Sequence, residues 1–225
     1  MELSNAIKLI EAGVNKAQQG TWADLGAGAG LFTRALATLL PKGSTIYAVD
    51  ANKSALEKIK ATDGIELIKI HADFETLSAV QGAGEKIERK PALSAVEGAG
   101  GKVEHQPALS AVEGSKAKIE RSRDLRFLDG ILMANSLHFV KDKISFIKKA
   151  ITWLKPDGCF VIVEYNTDKR NTWVPYPISF ESATELFDSI GCQVKLIGEE
   201  KSKYNKEGMY AAVLNQTPQR PKLES

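Results

Sequence analysis

Three runs in this chain, "IYAVD", "GILMA" and "FVIVEY", are apolar almost throughout instead of alternating with polar residues. A strand with one wet face shows a period of two, so unbroken apolar runs belong to strands covered by helices on both sides. Around them, strand-like and helix-like segments alternate. "TWADLG" precedes the helical pattern "LFTRALATLL", "STIYAVD" precedes "NKSALEKIKA", and "IELIKIHAD" closes the first half. The order resumes with "LDGILMANS", a helix across "KDKISFIKKAITWL", the stop "KPDG", the strand "CFVIVEY", a helix across "FESATELFDSIG", then "QVKLIG" and "GMYAAVL". Such alternation predicts parallel strands joined by crossover helices, a doubly wound α/β sheet of seven strands whose last two form a hairpin-like edge.

A chain of 225 residues with 43% apolar content is long enough for one good core, and a single domain over residues 1–215 is expected. Thirty basic residues against 28 acidic ones leave a net charge of +2, which gives no electrostatic case for nucleic acid or an anionic membrane. The first helix, marked by Leu3, Ile7, Ile10 and Val14, lacks the basic start and long apolar centre of a signal peptide, and no run reaches membrane-spanning length. The two cysteines, Cys159 and Cys192, lie in apolar surroundings without ligand-like spacing. Buried thiols in a reducing cytoplasm are expected, with no metal site.

Between Glu75 and Ser122 the pattern breaks into three tandem units of 16 residues, two of which share "PALSAVEG". Each unit offers few core residues, and its period is shorter than that of stacked repeats. Residues 75–122 are therefore expected to be a flexible or loosely helical insertion in the domain. The polar tail 216–225 is expected to be disordered.

The stretch "WADLGAGAG" leads from the first strand into a glycine-rich loop. A dinucleotide loop needs G-x-G-x-x-G, yet counting from Gly26 places Leu31, and counting from Gly28 places Thr33, where the third glycine belongs. Asp24 at the mouth would repel a pyrophosphate and suit a ligand bearing an ammonium or a sulfonium. "DLGAGAG" here resembles the first motif of the class I S-adenosylmethionine-dependent methyltransferases, an acid, any residue, then G-x-G-x-G. The resemblance covers roughly residues 1–74 and 123–215 and implies a Rossmann-like sheet, mostly parallel, with an antiparallel last strand.

By that resemblance, Asp24, Gly26, Ala27, Gly28 and Gly30 would surround the methionine part of the cofactor. Asp50, 20 residues beyond Gly30, would take the ribose hydroxyls, beside Ala51. Asp73 and Phe74 would meet the adenine, and Asn135 and Ser136, leaving the fourth strand, would line the cleft. His71 reads as a packed or solvated residue. His138, just past the fourth strand, is the candidate for orienting or deprotonating an acceptor, with packing or a lid as the rival role. Tyr165, Trp173 and Tyr176 are candidates for acceptor contact, since this architecture binds ligands outside the strand carboxyl ends. The expected activity is in-line methyl transfer from S-adenosylmethionine, chiefly by alignment in a dry cleft. A small-molecule acceptor leads, because "NSLH" is not the D/N-P-P-Y/F pattern of amino-adenine enzymes and no Pro-Cys nucleophile appears there. A protein or RNA acceptor, or a module that binds S-adenosylmethionine without turnover, remains open.

Overall fold

The computed structural model describes residues 1–77, 125, 127–201 and 208–216. The tandem repeat beyond residue 77 and the tail beyond residue 216 lie outside the described residues. Seven strands form one sheet in the order β3-β2-β1-β4-β5-β7-β6. They are β1 (Thr21–Leu25), β2 (Thr45–Asp50), β3 (Glu66–His71), β4 (Leu128–Ala134), β5 (Leu154–Tyr165), β6 (Cys192–Glu200) and β7 (Met209–Gln216). Pairing is parallel from β3 to β5, and β7 runs antiparallel to both β5 and β6.

Helices α1 (Leu3–Ile10) and α2 (Leu31–Leu39) share one core with a single face of the sheet. Trp22, Ile46, Leu132, Val161 and Val213 supply that face, and Ala6, Leu9, Phe32 and Leu36 meet them from the helices. Because strand side chains alternate, Ile131, Met133, Phe160 and Ile162 point to the opposite face, and all four are fully buried. Both faces are thus covered, as the unbroken apolar runs require. Among the described residues the remaining helices are α3 (Lys53–Glu57), α4 (Lys143–Ile151) and α5 (Phe180–Asp188), the last packing on β6 and β7.

Two elements differ from the sequence reading. The first helix stops at Ile10 and passes through a 3-10 turn, so Val14 is buried in extended backbone. "KPDG" does not stop the fourth helix before a new strand; it is part of β5. Leu128 faces Leu154 and Gly130 faces Cys159, so the bulge fits these residues against a shorter length of β4. A proline there costs no ladder bond, because bulged residues are unpaired.

Candidate functional site

Period-two geometry puts the Asp24 side chain on the same face of β1 as Trp22, under the first turns of α2. There Thr33 Oγ1 donates to Asp24 Oδ2 at 2.6 Å. The residue that spoils the dinucleotide glycine pattern is the one that holds the acid. Asp24 is 1% exposed, and among the described residues its Oδ1 has no partner. Burial pushes its carboxyl up to about 7, the Thr33 hydrogen bond works against that rise, and the neighbouring Asp50 charge adds to it.

The chain then turns through Gly26, Gly28 and Gly30, at φ of 83°, 53° and 84°, a region that side chains disfavour. Gly26 and Ala27 donate backbone N–H groups to Val49 O at 2.8 and 3.0 Å, tying the loop to β2. At Gly26 space is also decisive, since a Cβ there would lie 2.4 Å from Ser136 Cβ and 3.4 Å from Phe74 Cε1. At Gly28 a Cβ would meet nothing within 4 Å, so that side of the loop is open. Ser136 Oγ donates to Leu25 O at 2.6 Å, and Phe74 packs edge-on against Phe146 at 5.7 Å. The glycine loop, Phe74 and the turn after β4 therefore meet at one point.

Asp50 ends β2 with both oxygens aimed at backbone. Oδ2 accepts from Gly28 N–H and Oδ1 from Asn52 N–H, each at 2.7 Å. Each oxygen keeps a lone pair for a ligand hydroxyl. Ala51 is exposed, and its carbonyl lies 3.0 Å from Nε2 of the exposed His71. Asp73 is exposed, its Oδ1 accepting from Glu75 N–H at 2.9 Å. Asn135 takes a left-handed φ of 54°, and its Oδ1 is buried without a partner among the described residues. A strained residue with an unsatisfied oxygen costs stability and marks a place a ligand would fill.

Past this turn, His138 is 3% exposed and lies in the 3-10 turn Leu137–Phe139. Glu164 of β5 grips it twice, accepting from its backbone N–H at 3.1 Å and standing 2.6 Å from Nδ1. His138 O accepts from Tyr176 N–H at 3.0 Å, and Tyr165 lies 6.3 Å from its ring. The structure thus brings Tyr165 and Tyr176 to His138, whereas Trp173 stands out at 82% exposure. Lys143, 7% exposed, donates to Val140 O at 2.9 Å and Tyr176 O at 2.7 Å, clamping the loop after β5 to this turn. Burial pulls its ammonium below the usual lysine range, opposed by Glu164 and Glu75. Cys192 is buried and Cys159 half-buried; burial pushes the Cys159 thiol up to about 12, so it is an inert thiol.

Sequence reasoning missed Thr33, Lys143 and Glu164. For Glu164 the signal was present, a lone acid ending the apolar run "FVIVEY".

A family model described as "Methyltransferase domain" matches residues 4–195. The chain belongs to this methyltransferase family. Its fold is that of S-adenosylmethionine-dependent methyltransferases. One such enzyme, from Aquifex aeolicus, shares 13% identity at a TM-score of 0.54, with 94% of this chain and 92% of that one covered. DhpI, solved in complex with SAH, shares 15% identity at a TM-score of 0.56, with 96% and 85% covered. The mitomycin 7-O-methyltransferase MmcR shares 14% identity at a TM-score of 0.55, with 96% of this chain but 54% of that one covered. No curated protein matches the chain.

Proposed function

We propose that this methyltransferase binds S-adenosylmethionine at the glycine loop and methylates a small molecule in the cleft beyond Asn135. The observation that carries the reading is the pair of buried oxygens without a partner among the described residues, Asp24 Oδ1 and Asn135 Oδ1, beside a loop that leaves no room for a side chain at Gly26. Both are acceptors, and they suit a ligand rich in N–H donors and positive charge. They fit the ammonium and sulfonium of S-adenosylmethionine and disfavour a pyrophosphate. Bound there, the cofactor supplies a methyl group already activated for displacement.

The chain's own residues supply the rest. Asp24, Gly26, Ala27, Gly28 and Gly30 would hold the methionine part, with Asn135 and Ser136 closing over it. Asp50 and Ala51 would take the ribose, Asp73 and Phe74 the adenine. Tyr165, Trp173 and Tyr176 would contact the acceptor. A small acceptor is supported by the MmcR likeness and by the near-neutral charge balance.

Calorimetry with S-adenosylmethionine, S-adenosylhomocysteine and NAD tests the site. Binding of both adenosyl ligands and not NAD is expected. Tight NAD binding without heat from the others would refute the reading. Turnover of labelled cofactor against small-molecule, peptide and RNA fractions then identifies the acceptor class.

A further inference from the structure

The cofactor site leaves one buried pair unused. Glu164 is 1% exposed, and both its carboxylate oxygens hold one residue: Oε1 accepts the His138 backbone N–H at 3.1 Å, and Oε2 lies 2.6 Å from Nδ1. Taking a carboxylate out of water costs several kcal/mol, and apolar residues of the same shape would stabilise such a spot at least as well. The fold therefore gains little from this pair that a leucine would not give.

We propose that His138 is the base that removes the proton from a hydroxyl acceptor, and that Glu164 is the positioning residue that presents it. This rests on the methyl-transfer reading above and adds the acceptor class to it. An ionised carboxylate only accepts hydrogen bonds, so the shared proton stays on Nδ1 and the neutral ring carries its lone pair on Nε2. The backbone bond fixes the residue, and the ring bond fixes its tautomer and its plane.

Position favours the same role. His138 follows Ser136, whose Cβ abuts Gly26, and it is held on the other side by Tyr176 N–H. Its ring lies 4.4 Å from that of Phe139 and 6.3 Å from that of Tyr165. Phe139 is 50% exposed, leaving aromatic surface beside the base for a flat apolar body. The charged and titratable groups facing Glu164 are His138, Lys143 from α4 and Tyr210 from β7, whose hydroxyl donates to Ile178 O at 3.1 Å.

Chemistry narrows the acceptor. A neutral amine attacks a sulfonium methyl group through its own lone pair and sheds its proton afterwards, so a base adds little. A phenol is protonated at neutral pH and needs one. As the O–H bond breaks its proton passes to Nε2, the oxygen pair forms the O–CH3 bond, and the electrons of the broken C–S bond stay on sulfur. The products are the methyl ether, the thioether S-adenosylhomocysteine and a protonated His138, which returns its proton to water.

The test begins without any acceptor. Nitrogen NMR of the imidazoles in the full chain should show His138 protonated at Nδ1 and bare at Nε2 at mildly alkaline pH, and Glu164→Gln should abolish that pattern. With labelled S-adenosylmethionine and the probes phenol, catechol and umbelliferone, Glu164→Gln should lower kcat by about 100-fold or more. KM and cofactor affinity should stay within a few-fold, and the acid limb of the pH profile should disappear. Glu164→Asp should restore part of the rate. If Glu164→Gln does not fold, His138→Gln carries the same comparison. Unchanged phenol turnover and pH profile in these variants would overturn the inference, as would a wild type that binds cofactor yet methylates only the control aniline or no phenol. Failure to bind cofactor at all would instead overturn the methyl-transfer reading, and this inference with it.

Discussion

The two edges of the sheet treat their acids in opposite ways. At the amino-terminal edge, Asp129 accepts from Thr21 N–H at 2.7 Å and from Lys155 at 2.6 Å, so both oxygens are satisfied. At the carboxyl edge, Asp24 and Asn135 each bury an oxygen with no partner among the described residues, and Asn135 and three glycines sit in left-handed backbone. Yet the amino-terminal edge carries a cavity of about 410 Å³, lined by Gln18, Trp22, Asp157 and Lys195 among others. Volume points to one edge and unspent chemistry to the other. Unsatisfied, strained groups weigh more than empty space in choosing a candidate site, because each costs stability that a bound ligand can restore.

The largest expected effect is on the titration of Asp24. Asp24 has an ordinary value of 3.8 and is raised to about 7 in the fold. Between those values the folded chain holds the extra proton, so stability falls as pH rises through the window, by about 4 kcal/mol at most. Urea denaturation from pH 4 to 8 should show the fall, and Asp24→Asn should flatten it. A cationic ligand needs the ionised form, so its affinity should climb with pH, approaching about tenfold per unit, and level off above about 7. A flat affinity profile would make Asp24 a structural acid like Asp129.

Next in size, Asp50→Ala should weaken S-adenosylmethionine by about ten- to hundredfold, the range for hydrogen bonds to a charged group. An unchanged dissociation constant with intact circular dichroism would reduce Asp50 to a loop anchor. Asn135→Gly should separate stability from function: removing the left-handed strain should raise unfolding free energy by about 1 kcal/mol while cofactor affinity drops several-fold. Equal loss of both would show that Asn135 is simply structural. The smallest effect belongs to Asp129→Asn. Lys155 is 41% exposed, so thermal unfolding should register about 1 kcal/mol or less, and cofactor affinity should not change.

The carboxyl edge was the legible one in sequence, and for a physical reason. Its loop must be glycine-rich to turn and its acids must end strands, so Asp24, Gly26 and Asp50 stand at fixed distances along the chain. What stayed hidden depends on pairing across the sheet. Glu164 finds His138 because β5 lies beside β4, and their 26-residue separation leaves no periodic trace. Lys143, at the start of α4, drew no attention in the sequence, and its burial depends on the loop after β5, whose Tyr176 O accepts from it. "KPDG" reads as a break because proline and glycine interrupt strands, and its place inside β5 emerges only from the register against β4. The seven strands were countable from their apolar runs and the antiparallel last strand came from resemblance, whereas the insertion of β7 between β5 and β6 shows only in the pairing.

That insertion sets a timetable for the growing chain. β6 has β7 as its one partner in the sheet, and β7 is made later. Strands β1 to β5 can pair as they leave the ribosome, since each finds a neighbour already synthesised or soon to follow. β6 cannot join them, and until β7 emerges the flank of β5 stays an open edge able to pair with another chain. β6 is thus made before the strand that must carry it into the sheet.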